Sequence, residues 1–402
     1  MRIFYKFMHF FHPTPLDIVE QYIASKLKGK HFDRVLDPCV GDGALLACLN
    51  HNFNTVTIVD IDPDRLNKFD DNIFVKYAGD FLNLQVSQKF DLILCNPPFN
   101  NKAISGPSLE EKFLHKCLNL LNTNGYGIFI LPSSIINGTK ANKIRENLIK
   151  DYTILSIDIL PKNTFLKIES HFYIILLKNI KPTTYYNIET NLGNINSKLI
   201  AKNDYSSLNP LKLVNTLKYE NFIKNLPTFK LPNSLVFRGN SEKSDSQVHT
   251  TNFSHFYCNQ INFRNKNSEG KYIKKYDLLC KRVGRNCHNS FSIFLNNSQA
   301  NISDCVIAIS LNSNSYKNNL NLLFNIRLSI LFGASYCFLI DGSGANYISL
   351  NKLKETKFID FKGFLSKKDL KKFVYLIIKK DIKSLNHFEK KIKNKINLKM
   401  SL

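Results

Sequence analysis

Four apolar runs, each closing on a polar residue at its carboxyl end, constrain the first half of this chain more than any other feature. Val35-Leu36 leads to Asp37, Thr55-Val56-Thr57-Ile58-Val59 to Asp60, Ile73-Phe74-Val75-Lys76-Tyr77 to Gly79-Asp80, and Leu92-Ile93-Leu94-Cys95 to Asn96. Short apolar runs separated by segments of helical spacing read as buried strands alternating with helices, which is the pattern of a doubly wound parallel sheet. Ligands of such sheets bind outside the carboxyl ends of the strands, so Asp37, Asp60, Asp80 and Asn96 fall on one rim. The pattern continues with a helix over 108–121, a turn at Asn122–Gly125 and a strand at Tyr126–Leu131. A helix over about 140–150 and strands over 154–160 and 170–178 follow, the last antiparallel to its neighbour. Together they predict a seven-stranded, Rossmann-like α/β domain over residues 1–180.

The loops leaving these strands carry the chemistry. Asn96-Pro97-Pro98-Phe99 follows a buried strand with two fixed φ angles, so the backbone is stiff where it leaves the sheet. The side-chain oxygen of Asn96 and the carbonyl of Pro97 offer two acceptors for one amino group, and Phe99 offers a flat apolar face for the ring that bears it. Taken alone, the same four residues also fit an ordinary proline turn with a core phenylalanine. Asp37-Pro38-Cys39-Val40-Gly41-Asp42-Gly43 reads as a strand end followed by a glycine loop that lets a ligand approach the backbone. The dinucleotide fingerprint is excluded, because no third glycine stands two residues on. Asp60-Ile61, ending the second strand, is placed to accept bonds from ribose hydroxyls. Asp80 and Phe81 add an acceptor and an apolar face to the same edge. Upstream, Thr14-Pro15 is a helix-start signature, with Thr14 predicted as N-cap and Pro15 at the first helical position.

Composition sets limits on partners. The 402 residues carry a net charge of +23, which favours a polyanionic partner, nucleic acid before membrane; an AT-rich coding bias toward Asn, Ile and Lys accounts for part of it. Nine cysteines lie scattered without a C-x-x-C pair, so neither a metal site nor a disulfide framework is expected, and the thiols read as reduced in a cytoplasmic protein. The aromatic N-terminus is broken by Lys6, His9 and His12 and has the wrong pattern for a signal peptide. The apolar run near 322–340 is interrupted by Arg327 and Gly333, so no membrane association is expected.

The motifs over residues 12–178 resemble those of S-adenosylmethionine-dependent N6-adenine DNA methyltransferases, in the arrangement with the cofactor motif first, Asn-Pro-Pro-Phe second and a target-recognition domain last, as in type II restriction-modification systems. The resemblance implies S-adenosylmethionine as cofactor, held by Thr14, Pro15, Asp37, Pro38, Cys39, Gly41, Gly43, Asp60, Ile61, Asp80, Phe81 and Asn96. It implies catalysis by Asn96, Pro97, Pro98 and Phe99, with Phe165 as a second aromatic against a flipped-out base. Double-stranded DNA is the implied substrate, and a cognate restriction endonuclease the implied partner.

Beyond the catalytic domain, 181–230 reads as a polar connecting region and 231–365 as a mixed α+β DNA target-recognition domain. The second match rests on Leu235–Gly239, Tyr276–Asn286, Asp304–Ile309, a helix over 318–332 and the stretch from Gly342 to Leu353. Lys281, Arg282 and Arg285 are its candidate DNA contacts. Residues 366–402 read as a basic helical tail with one apolar face. Other readings remain open on the residues: a methyltransferase acting on guanine N2 of rRNA, on a protein glutamine amide or on N4 of cytosine, or a non-catalytic DNA-specificity subunit.

Overall fold

The computed structural model describes residues 12–50, 52–99, 106–165, 168, 170–239, 247–253, 257–258, 272–297, 299–310, 316–340 and 345–400. By its internal contacts the chain divides into two units, Met1–Val214 and Asn215–Leu402.

The first unit is built on a seven-stranded sheet. β1 (Phe32–Asp37), β2 (Phe53–Asp60), β3 (Phe74–Ala78), β4 (Phe90–Cys95) and β5 (Leu121–Pro132) run parallel, while β7 (Phe172–Lys178) is antiparallel to both β5 and β6 (Thr153–Ile159). Their spatial order is β3-β2-β1-β4-β5-β7-β6, and the seven strands with an antiparallel β7 agree with the sequence expectation. The chain winds outward from β1 through β2 to β3, then returns to the other side of β1 to place β4. The point of reversal therefore lies between β1 and β4, where sheets of this type open a crevice.

Burial follows the strand order. Val35, Leu36, Leu92, Ile93 and Leu94 are completely buried, as expected of central strands covered on both faces. Each such side chain stabilises the sheet by roughly 1.5–3 kcal/mol, so the central strands are rigid supports for whatever follows them. At the rear edge β3 is looser, with Val75 and Tyr77 exposed. A helical segment that runs from α1 (Leu16–Val19) through a π turn at Glu20–Ala24 to Ser25–Leu27 buries Ile18, Val19, Ile23 and Leu27 against one face. α2 (Leu109–Leu120) starts at Ser108, whose side chain accepts from the Glu111 amide.

The polar stretch after β7 is ordered in its first part. Asn187–Ile188 pairs antiparallel with Ile195–Asn196, and Asn196 caps α3 (Ser197–Lys202). The amides of Ile157 and Glu189 bond the carbonyls of Glu189 and Leu155 respectively, which extends the β6 edge. These elements are held by caps and edge hydrogen bonds, so apolar periodicity gave no sign of them.

The second unit contains a five-stranded sheet in the order β8-β12-β10-β11-β9, from β8 (Val236–Arg238), β9 (Tyr257–Cys258), β10 (Leu278–Lys281), β11 (Ser292–Phe294) and β12 (Val306–Ile309). α4 (Tyr316–Leu331) is buried on nearly every side, and α5 (Lys367–Ile378) and α6 (Ile382–Met400) pack on the same core through Phe373, Leu385, Phe388, Ile392 and Ile396. Phe324 of α4 stacks on Phe373 of α5 at 4.1 Å. The guanidinium of Arg327 grips Glu389 of α6 through two bonds of 2.6 and 2.9 Å and also donates to the Phe291 carbonyl. The lysine-rich end of the chain is thus a core-forming helix pair with its apolar face inward. Gly342, Ser343 and Gly344, part of the expected recognition domain, lie outside the described residues. Among those residues no helix is long and apolar enough to cross a membrane.

Candidate active site

A cavity of about 840 Å³ opens at the point where the strand order reverses. That size suits a small-molecule ligand with room to spare. Its lining includes Thr14, Asp37, Pro38, Cys39, Gly41, Asp60, Ile61, Asp80, Phe81, Asn96, Pro97, Pro98 and Phe99, so the structure brings together nearly all the residues singled out from the sequence. Gly43 supports the loop without appearing in the lining. Its φ of +79° demands glycine, and an added Cβ would meet the Phe69 ring at 2.8 Å.

Asp37 ends β1 and is almost fully buried, with one carboxylate oxygen accepting from the Cys39 amide at 3.1 Å. Burial pushes its carboxyl from 3.8 up to about 7; the Cys39 amide works against the rise and the nearby Asp60 charge adds to it. A buried carboxyl poised near neutrality is primed to meet a cationic group. Asp60 ends β2 and uses its two oxygens to fix the glycine loop, accepting from the Gly41 amide at 2.9 Å and from the Asp62 amide at 2.9 Å. Asp62 caps the following short helix through the Asp64 amide, which leaves Asp60 for the cavity. Asp80 accepts from the Leu82 amide and from the Asn83 side chain, turning the chain so that Phe81 lies buried in the wall. Phe113 from α2 packs against Phe81 at 5.4 Å, and Lys116 sits over the Phe81 ring at 4.7 Å.

The loop after β4 holds the most informative atom. Asn96 Nδ2 donates to Thr14 Oγ1 at 2.9 Å and to the His12 carbonyl at 3.3 Å. A carbonyl only accepts, so this contact fixes which end of the amide is which. Asn96 Oδ1 is then left buried with no hydrogen-bond partner among the described residues. An orphaned buried acceptor costs roughly 1–3 kcal/mol, an expense that folds tolerate where a ligand supplies the missing donor. Pro97 and Pro98 have no amide hydrogen to offer it. The Cys39 thiol donates to the Asn96 carbonyl at 3.1 Å, tying this loop to the glycine loop across the crevice.

Three residues stand differently from expectation. Thr14 is not the N-cap of α1: that place belongs to Pro15, whose carbonyl accepts from the Ile18 amide, and the Thr14 hydroxyl serves Asn96 instead. Pro15 itself stays outside the cavity lining. Phe165 does not reach the cavity either. It lies 3% exposed behind Phe99, edge-on to it at 5.4 Å and packed on Phe172 at 4.6 Å, because the apolar face of that segment closes the core. The ring on the cavity side of Phe99 is that of His12, stacked at 5.7 Å and 26°. Sequence reading gave His12 no role, since a lone histidine before a proline carries no pattern. Phe113 was missed for a related reason, being one apolar position among several on α2.

In the second unit Lys281 ends β10 half-buried, with its ammonium 5.8 Å from the Phe253 ring. Arg282 is half-buried and its Nε is a buried donor without a partner among the described residues, while Arg285 is exposed. Among the described residues no cluster of His, Cys, Asp or Glu could hold a metal ion.

Residues 45–165 match the family model described as Eco57I restriction-modification methylase. Over this stretch the match bears out the restriction-modification methylase part of the resemblance drawn from the motifs. The chain is 31% identical over 169 residues to the modification methylase CviBIII of Paramecium bursaria Chlorella virus NC1A, a match covering 38% of this chain and 44% of that one. It is 26% identical over 262 residues to the type II methyltransferase M.AccI of Acinetobacter calcoaceticus, covering 56% and 44%. It is also 28% identical over 124 residues to a tRNA1(Val) (adenine(37)-N6)-methyltransferase of Vibrio vulnificus (strain CMCP6), covering 25% and 52%. The chain thus spans about half the length of these curated relatives.

Proposed function

We propose that this chain is a site-specific DNA methyltransferase that moves a methyl group from S-adenosylmethionine to the N6 amino group of an adenine turned out of the duplex. The observation that carries the reading is the orphaned Oδ1 of Asn96, a lining residue of a cavity that Asp37, Asp60 and the glycine-loop residue Gly41 also line. The match to the restriction-modification methylase family and the adenine N6 target named for the tRNA-modifying relative support the choice of reaction.

The residues present fit the cofactor. Asp37, buried and near neutrality, faces the cationic methionine end, and the Gly41–Gly43 loop admits it close to the backbone. Asp60 receives ribose hydroxyls on the lone pairs its two backbone bonds leave over. Asp80, Phe81 and Ile61 take the purine. The cofactor supplies an electrophilic methyl on a sulfonium, an excellent leaving group. What the protein must do is present a nucleophile, and adenine N6 is a poor one because its lone pair is delocalised into the ring. Asn96 Oδ1 and the Pro97 carbonyl accept the two amino hydrogens, which keeps electron density on nitrogen as it becomes tetrahedral. Phe99 holds the base plane, and because N6 is inaccessible in a stacked duplex the base must rotate out to arrive there. Thr14 acts through Asn96: its hydroxyl holds the amide so that Oδ1 faces the substrate.

The second unit we read as the DNA target-recognition part, with Lys281, Arg282 and Arg285 as contacts, and the matched family's description as a restriction-modification methylase favours a restriction endonuclease as functional partner. The tRNA-modifying relative motivates a second reading, in which a folded RNA presents the adenine. Incubation with radiolabelled S-adenosylmethionine and equal masses of duplex DNA, tRNA, rRNA and protein separates them. Label in duplex DNA alone is expected; label confined to RNA or protein overturns the assignment.

A further inference from the structure

We propose that the imidazole of His12 is the second wall of the target-base seat: it lies on the open face of Phe99 and covers the base from the opposite side when one is bound. The inference rests on the function proposed above and adds a positioning residue that no motif carries.

Phe99 has only one face to give. Its inner side is taken by Phe172 at 4.6 Å and Phe165 at 5.4 Å, both buried and packed on each other. Neither lines the cavity, whereas His12 and Phe99 both do. A planar ring entering the cavity must therefore lie where His12 now lies. The two rings are already close to parallel, at 26°, with centroids 5.7 Å apart. Seating a base between them requires His12 to move outward from Phe99. Insertion of the base thus widens an existing stack.

The backbone at His12 is linked to the atom that reads the amino group. Its carbonyl accepts from Asn96 Nδ2 at 3.3 Å, a longer bond than the 2.9 Å contact to Thr14. When the His12 wall moves outward, the shorter Thr14 bond keeps the amide in orientation. Burial lowers the His12 pKa, which favours the neutral ring, a flat stacking surface without charge to desolvate.

The test uses the full-length protein and a duplex carrying its methylation site, read by single-molecule sequencing of DNA from cells expressing the wild type. 2-Aminopurine at the target adenine reports extrusion by fluorescence. His12→Ala is expected to lose the extrusion signal and about tenfold or more in kcat, the usual scale of one lost stacking partner, with S-adenosylmethionine affinity unchanged. His12→Phe, which keeps a ring and discards the imidazole nitrogens, is expected to restore most of both. Wild-type extrusion and kcat in His12→Ala overturn the inference. So does equal loss in both variants, or loss of cofactor binding in His12→Ala, since either would make the residue a structural support. A wild-type protein that transfers no methyl to adenine instead sinks the enzyme assignment, and this inference with it.

Discussion

Asn96→Ala separates catalysis from stability, because one end of the same side chain has no partner among the described residues. Deleting Oδ1 removes a buried acceptor without a partner, a relief of roughly 1–3 kcal/mol. Deleting Nδ2 removes the bonds to Thr14 Oγ1 at 2.9 Å and to the His12 carbonyl at 3.3 Å, a loss of about 0.5–1.5 kcal/mol each. The two nearly cancel, so the denaturant midpoint of the first unit is expected to stay close to that of the wild type. Turnover has no such compensation. Loss of one preorganised partner of the developing charge costs about 10²–10³ in kcat, and the variant should show that loss in single-turnover methyl transfer. Cofactor affinity by calorimetry should hold, since Asp37, Asp60 and Asp80 are untouched. A variant that turns over within about tenfold of the wild type refutes the reasoning. A variant that loses cofactor binding or unfolds early refutes it as well, by showing that Asn96 is a structural tie.

The remaining expectations concern charge and fold. The folded pKa of Asp37, about 7, lies above its ordinary 3.8, so the stability this group contributes is full below the ordinary value and is lost as pH rises through about 7. A cationic ligand favours the carboxylate, so cofactor affinity is expected to weaken as pH falls below about 7 and Asp37→Asn to flatten that dependence, which calorimetry on either side of neutrality checks. Arg327→Ala leaves Glu389 buried and unpaired, which should destabilise the second unit by about 3–5 kcal/mol in a denaturant titration; the double change to Met and Leu should recover much of it. Replacing Lys281, Arg282 and Arg285 together should weaken DNA binding and lower the slope of log affinity against log salt by about 1 for each phosphate no longer neutralised, and an unchanged slope would remove them from the interface.

The central sheet was legible because its strands are buried on both faces, so Val35-Leu36, Ile58-Val59 and Leu92–Cys95 had to be continuous apolar runs and their polar ends had to mark the rim. The cavity residues followed from that placement. What stayed hidden depends on contacts between segments far apart in the chain. Thr14 looks like a helix cap because Ser, Thr, Asp and Asn before a proline usually are; only the fold brings Asn96, 82 positions away, to its hydroxyl. His12, not Phe165, lies on the cavity side of Phe99, because an aromatic residue's sequence position does not say which side of Phe99 it will occupy. The hairpin and helix over 187–202 are held by Asn and Ser side chains and by backbone bonds to an edge strand, a construction without periodic apolar signal.

In the proposed reaction a buried amide oxygen and a prolyl carbonyl beside it grip the exocyclic amino group of adenine. Enzymatic digestion of DNA methylated by the purified protein, followed by mass spectrometry of the nucleosides, tests it most directly. N6-methyladenine as the sole modified nucleoside is the expected result. N4-methylcytosine, a ring-methylated base or unmodified DNA would contradict the account.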